Sequence, residues 1–238
     1  MARQLSDRRR QALLLDNVGL TYRYQGDYDQ ARAYSEQALG ILREIGDAPN
    51  VQINLGNIGT AAMVQGDLET AESRYLEALE LARRLQDSEG EATSLCSLGR
   101  LHAQQQHYSR ARRSLRASLR LFRRIGHRRG QADALHNLGV LEFWAGRPRD
   151  ADRALRRALS LWQDLGDAGN ALSSQAWLGL AALSLGEGER ACALLQEVEA
   201  RLGAGEYSGA YPEQELWWAA YRVWQACGQK VRARQALE

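Results

Sequence analysis

The chain has 238 residues, 45% apolar and 25% charged, with 31 Lys and Arg against 29 Asp and Glu. That balance belongs to an ordinary globular chain and excludes a disordered, fibrous or membrane-spanning one. Three cysteines, Cys96, Cys192 and Cys227, are too few and too scattered for a disulfide framework and form no C-x-x-C pair, so a reducing compartment is expected. The N-terminal MARQLSDRRRQALLL lacks an apolar stretch followed by a small-residue cleavage site, and no run approaches the roughly 18 apolar residues of a membrane helix. The expected location is therefore the cytoplasm, with no membrane partner.

The 22 glycines outnumber the 3 prolines, and their positions set the architecture. Gly19, Gly59, Gly99, Gly139 and Gly179 stand 40 residues apart. Gly26, Gly66, Gly146 and Gly186 keep the same register, with Gln106 as the exception, and so do Ala31, Ala71, Ala111, Ala151 and Ala191. Three columns in one register define one structural unit.

In chain order, the first unit (about 7–46) opens with a helix carrying Leu15, Val18 and Tyr22, stopped by Gly26, and closes its second helix at Gly46. The second (47–86) begins at Asp47 as N-cap, with Pro49 in the first turn, and the third (87–126) begins at Asp87. Within the third unit Tyr108, Ala111, Leu115, Leu119, Phe122 and Ile125 recur at steps of three and four, an amphipathic helix. The fourth (127–166) repeats this with Leu135, Leu138 and Glu142, then Ala151, Leu155, Ala158, Leu159, Trp162 and Leu165, its second helix opened by Pro148 and closed by Gly166. Asp167 caps the fifth (167–208). The loop GAGEYSGAYP then absorbs two residues, so that Gly228 and Ala233 of the sixth unit (209–238) stand 42 residues after Gly186 and Ala191. Pro212 is expected in the first turn of that unit, and its second helix is expected to stop after about ten residues at Glu238, without a cap. A single array spanning 1–238, cut from a longer parent chain, is the expectation. The glycines of the Gly19 column fall inside helices, where each costs about 1 kcal/mol relative to alanine. Their recurrence implies close approach of neighbouring helices.

Each unit resembles a tetratricopeptide repeat (TPR), on Leu98, Gly99, Ala111 and Leu115 and on Leu138, Gly139, Gly146, Ala151, Leu155 and Ala158. The resemblance runs from about residue 7 to 202. A usual unit has about 34 residues, so a 40-residue period adds roughly 9 Å of helix per unit. Long units of this kind are similar to those of kinesin light chains and of bacterial regulators of the maltose-activator type. The resemblance implies an all-α, right-handed superhelical solenoid of antiparallel helix hairpins, five full units and a partial sixth. It also implies a non-enzymatic scaffold for protein–protein interaction that holds a peptide or protein segment in its concave groove, as a module of a bacterial signalling or transcription regulator. The alternative it offers is a small-molecule inducer sensor of a STAND-type regulator.

Catalytic and metal signatures are missing from the sequence. His102, His107, His127 and His136 have no metal-ligand spacing. GEGER at 186–190 is neither a dinucleotide loop nor a phosphate loop, and no G-x-S-x-G occurs. No catalytic residue, metal or cofactor is expected.

In arrays of this kind the first helices line the groove. At about 100° per residue, the positions opposite Leu15, Val18, Gly19 and Tyr22 are Leu13, Asn17, Leu20 and Tyr24. One period on come Ile53, Asn57, Thr60 and Val64, then Thr93, Ser97, Arg100 and Gln104. Asp133, Asn137, Val140 and Trp144 follow, and last Ser173, Trp177, Leu180 and Ser184. Only Arg100 and Asp133 are charged, which argues against nucleic acid or an acidic tail as groove ligand. Asn17, Asn57 and Asn137 offer a donor and an acceptor to a peptide backbone, while Tyr24, Trp144 and Trp177 offer apolar pockets.

Residues 92–132 contain no Asp or Glu, and Arg113, Arg116, Arg120 and Arg124 fall opposite Ala111, Leu115 and Phe122, on an outer face able to bind anions. Without interleaved aromatics, nucleic acid is the less favoured partner for that face. Trp217, Trp218, Tyr221 and Trp224 cluster in the last unit as a cap on the array or, second, as a homodimer surface.

Overall fold

The structure, a computed structural model, describes residues 2–205, 207–209 and 211–236. Among them only helices occur: α1 (Ala2–Tyr24), α2 (Tyr28–Glu44), α3 (Ala48–Val64), α4 (Leu68–Arg84), α5 (Ser88–Gln104), α6 (Tyr108–Arg124), α7 (Arg128–Trp144), α8 (Pro148–Asp164), α9 (Ala168–Ser184), α10 (Gly188–Gly203), α11 (Glu213–Ala226) and α12 (Lys230–Gln235). They form two compact units, Met1–Ile125 with α1 to α6 and Gly126–Glu238 with α7 to α12.

The helices α2 to α9 have 17 residues each and are joined by three-residue turns, which generates the 40-residue period. Each turn does two jobs. In Gln65-Gly66-Asp67, the Gly66 N–H donates to Met63 O and the Asp67 N–H to Ala62 O, closing α3 in a Schellman motif. The Asp67 carboxylate then accepts from the Thr70 N–H at 3.1 Å and opens α4. Gly66 holds φ +82°, a left-handed conformation that glycine adopts without strain. At Gln86 and Gln106 a glutamine sits in the same conformation, at φ 56° and 60°. The expected caps Asp47, Asp87 and Asp167 all accept from first-turn N–H groups. His127 takes the role with its ring, Nδ1 accepting from Gly130 N at 2.9 Å.

Behind the turns, the Gly19 column brings helices together as expected. A Cβ on Gly99 would stand 2.6 Å from Leu115 Cγ, and one on Gly59 would stand 2.7 Å from Tyr75 Cε1. Leu39, Leu42, Leu55 and Ile58 form one core cluster of the first unit, and Tyr75, Leu79, Leu98 and Leu101 another. In the second unit Leu155, Leu178, Leu195, Leu216, Val223 and Trp224 share one core.

Several local expectations are corrected. The first helix begins at Ala2, since nothing in ARQLSD stops a helix and Arg8 and Arg9 pair with Glu44 and Asp47. Val18 is 38% exposed because no described element covers that side of α1. Pro212 is the N-cap of α11, at φ −60° and ψ 130°, and so lies just outside the helix. The second helix of the sixth hairpin, α12, has six residues, and the last two positions of the chain lie outside the described residues. Cys192 and Cys227 meet sulfur to sulfur with Cα atoms 7.2 Å apart. Their separation of 35 residues, close to one period, returns the chain to the same edge of the fold.

Candidate functional site

In the first unit, the inner-face positions read from the sequence separate into two groups. Asn17 and Tyr24 on α1 are exposed, Tyr24 by 83% with the Arg23 guanidinium 5.4 Å above its ring, and Leu20 is half-buried. Arg100 and Gln104 are exposed on α5. Asn57 and Thr60 instead converge in a cleft of about 530 Å³ between α3 and α5, lined also by Ile53, Gly56, Thr93 and Ser97 and by the charged Arg23, Asp87 and Glu89.

Asn57 is oriented by a residue that the sequence did not mark. Its Nδ2 donates to both carboxylate oxygens of Asp16, at 3.2 and 3.1 Å, while Asn54 Nδ2 donates to the same carboxylate at 2.6 Å. The two oxygens of one carboxylate share one Asn57 N–H, which fixes the amide plane and leaves its carbonyl and second N–H to meet a ligand. The Thr60 hydroxyl lies 3.1 Å from the Tyr75 phenol and donates to Gly56 O at 2.9 Å. Burial pushes the Tyr75 phenol above its ordinary pKa against the hydrogen bond with Thr60, so the group stays protonated.

The corresponding face of the second unit is occupied. Asn137, half-buried, donates to Asp133 O at 2.9 Å, to Asp133 Oδ1 at 3.3 Å and to the Tyr211 phenol at 3.5 Å. Tyr211 donates to Asp133 Oδ1 at 2.5 Å and stacks on His136 with ring centroids 4.0 Å apart. His136 Nδ1 lies 2.9 Å from Ser174 Oγ. Tyr207 donates to Tyr211 O at 2.8 Å and is 2.8 Å from Ser173 Oγ. Gly209 runs so close to Gly169 that a Cβ there would stand 2.7 Å from the Gly209 Cα. The loop that carries the two-residue insertion thus lies across α7 and α9, a non-local contact that the repeat pattern does not encode.

Next to this loop is an aromatic cluster. Trp144 stacks on Trp218 at 5.7 Å, and each stands 6.0 Å from Trp177, with Phe143 edge-on to Trp144 and Trp177 at 5.5 Å. The Arg222 guanidinium lies 5.3 Å over Trp218. Trp144 is 52% exposed, whereas Trp177, expected to face a ligand, is 4% exposed and belongs to the core. The covering has a simple cause: α9 packs between α7, α8, α10 and α11, and its residues from Gly169 to Ala182 are buried. Val140 is partly buried against the same core.

Among the C-terminal tryptophans, Trp224 is fully buried, with Arg232 over its ring at 4.9 Å, so it packs inside the unit and offers no surface for a second copy. Trp217, whose Nε1 donates to Glu213 at 3.0 Å, and Trp218 are partly buried against that core. Arg113, Arg116, Arg120 and Arg124 are exposed on α6, Arg124 donating to Ser88 Oγ at 3.3 Å. No helix among the described residues is long and apolar enough to cross a membrane.

Known proteins share this fold. A Rap protein complexed with Competence and Sporulation Factor is similar over 95% of this chain and 62% of its own, with a TM-score of 0.81 at 13% identity. Aspartyl phosphate phosphatase F from Bacillus subtilis is similar over 96% of this chain and 57% of its own, with a TM-score of 0.73 at 16% identity. The chain therefore spans about three fifths of the length of these two proteins. The nearly identical TPR-like repeats of a putative kinesin light chain from Podosopora anserina are similar over 82% of this chain and 96% of their own, with a TM-score of 0.62 at 17% identity. No curated protein matches the chain in sequence. The fold is the TPR solenoid of antiparallel helix hairpins. The family described as the MalT-like TPR region matches residues 18–238, and the chain belongs to it.

Proposed function

We propose that the chain is a non-enzymatic interaction module that holds an extended polypeptide segment on the inner faces of its first helices, within a bacterial signalling or transcription regulator of the cytoplasm. One observation carries the reading: the face of α7 and α9 already holds a non-helical segment, the loop bearing Tyr207 and Tyr211, through side-chain hydrogen bonds and ring stacking. Eighty residues earlier in register, α3 and α5 present the equivalent positions as an open cleft, with Asn57 in the place of Asn137 and Thr93 in the place of Ser173. The Rap protein that shares the fold was solved with a factor bound, which supports the same reading.

On this reading Asn57 offers its carbonyl to a backbone N–H, Thr60 orients the wall, and Ile53, 58% exposed, covers an apolar ligand side chain. Asn17, Leu20, Tyr24, Arg100 and Gln104 flank the cleft as secondary contacts. In the second unit Trp144 offers a separate apolar contact, and Asn137, Val140 and Trp177 shape the face that holds the loop.

The test is selection of a random peptide library on the immobilised chain, followed by binding to Ile53→Glu and Asn57→Ala. Selected peptides should lose at least about tenfold in affinity on Ile53→Glu, the equivalent of about 1.4 kcal/mol. Binding to both variants as tight as to the parent sinks the proposal.

The volume of the cleft supports a second reading. At about 530 Å³ it lies in the range of small-molecule sites, roughly 300–1,000 Å³, as an inducer sensor requires. A specific, saturable rise in melting temperature in a metabolite screen, abolished by Ile53→Glu, selects that reading.

A further inference from the structure

Helix α6 departs from the charge pairing of the other second helices. Arg43 of α2 pairs with Glu77, Arg74 of α4 with Glu36 and Glu77, and Arg156 of α8 and Arg190 of α10 both pair with Asp152. In the 17 residues of α6 there are seven arginines and no acid. In the repeat register, Glu72, Glu77 and Glu80 of α4 are replaced by Arg112, Ala117 and Arg120. Arg113, Arg116, Arg120 and Arg123 are exposed, and among the described residues no carboxylate lies within ion-pair distance of any of them.

These four arginines, at steps of three, four and three residues, draw one straight line along the helix, about 15 Å long at 1.5 Å per residue. The arrangement works against the helix that carries it. Neighbouring guanidinium groups three and four residues apart repel one another. The cations of the first turns oppose the helix dipole, and the N-cap His107 makes no side-chain capping bond. A stripe that weakens its own helix, with Arg116 and Arg120 standing where α2 and α4 carry Glu36 and Glu80, calls for anionic groups from outside.

We propose that the outer face of α6 docks a short acidic helix of a partner protein, with carboxylates stepped by three, four and three residues against Arg113, Arg116, Arg120 and Arg123. Guanidinium forks bind carboxylates in bidentate fashion, and side chains at this spacing on a facing helix repeat every 5–6 Å, as the arginines do. The surroundings favour a short segment over a long polyanion. α4, which shares the core cluster of Leu98 and Leu101 with Ala117 and Leu121 of α6, carries Glu69, Glu72, Glu77 and Glu80. A nucleic acid or an anionic bilayer extending past α6 meets those carboxylates. A bilayer also finds no apolar side chain to take up, because Leu115, Leu119 and Phe122 are buried. This surface is independent of the cleft between α3 and α5.

The test uses the full chain and two labelled synthetic helices of equal composition, one with glutamates stepped by three, four and three residues, the other with the same glutamates distributed around the helix. Duplex DNA of equal charge is the third probe. In low-salt anisotropy titrations the aligned helix should bind about tenfold more tightly than the permuted one and than DNA. Arg113→Glu with Arg120→Glu should abolish that preference, while Arg113→Gln with Arg120→Gln weakens it. Each variant should keep or raise the thermal midpoint of the parent, which separates lost docking from lost folding. Equal binding of the two helices, tighter binding of DNA, or binding that survives charge reversal overturns the proposal.

Discussion

Gly99→Ala sets two effects of known sign against each other. Alanine is favoured over glycine in a helix interior by about 1 kcal/mol. Against that gain, the new Cβ would stand 2.6 Å from Leu115 Cγ and 2.8 Å from Leu115 Cδ2, closer than carbon atoms approach. Leu115 is fully buried and has no free volume to turn into. Overpacking of this kind costs about 1–3 kcal/mol, and the Ala111 carbonyl at 3.4 Å adds nothing because that is ordinary contact. The net expectation is a loss of about 1 kcal/mol, in place of the usual gain. Gly40→Ala is the internal control: Gly40 lies mid-helix on α2 with nothing within 4 Å of its added Cβ, so that variant should gain up to about 1 kcal/mol. Leu115→Ala alone should cost about 2–5 kcal/mol through its cavity. Because it removes the clash, the double variant should cost less than the sum by about 1–2 kcal/mol. Urea unfolding followed by circular dichroism measures all four, with the slope compared between variants because repeat arrays can depart from two-state behaviour. A Gly99→Ala chain at least as stable as its parent, or strict additivity with Leu115→Ala, refutes the close-packing account.

The other expectations concern charge and the loop. Burial raises the pKa of Asp152, but hydrogen bonds from Arg190 and Arg156 outweigh that and lower it. The group therefore contributes stability above about pH 4, the unfolded carboxyl value, and loses it as pH falls through the lower folded value. Melting curves of the parent and Asp152→Asn should differ at neutral pH and converge in strong acid; a gap independent of pH contradicts the assignment. Tyr211→Phe removes a phenol that donates to the Asp133 carboxylate, a bond worth about 1.5–3 kcal/mol. Proteolytic cleavage between Tyr207 and Gly209 should speed up at least about tenfold, and an unchanged rate would show that the bond does not hold the loop. Arg116→Glu places an acid three or four residues from Arg112, Arg113 and Arg120, and should raise the midpoint by about 1–3 °C at low salt, an effect that disappears at high salt. A lower midpoint at low salt would mean that the stripe is not self-repelling.

The repeat could be read in the sequence because each turn imposes local chemistry twice: Gly66 must hold a positive φ and Asp67 must cap, and neither requirement depends on distant residues. The same locality made Asn57 and Thr60 legible, since 100° per residue places both on the open side of α3. Trp177 and Asn137 fail for a non-local reason. α11 and the loop bearing Tyr211 reach back over positions that in an undisturbed register stay open, and the two inserted residues that allow this carry no periodic signal. Asp16 was missed likewise, because its partners Asn54 and Asn57 lie 38 and 41 residues away, a spacing that shows only once the hairpins are stacked. The contact between Cys192 and Cys227 has the same origin.

Gln86 and Gln106 give α5 a place of its own in the first unit. Each holds a left-handed conformation at a cost of about 1–2 kcal/mol, which glycine avoids at the corresponding turns. They stand in the turns before and after α5, each one residue beyond its caps Asp87 and Gln105. Glycine at both positions would relieve that strain on either side of α5, one wall of the cleft, and so stabilise the wall without changing a single residue that lines it.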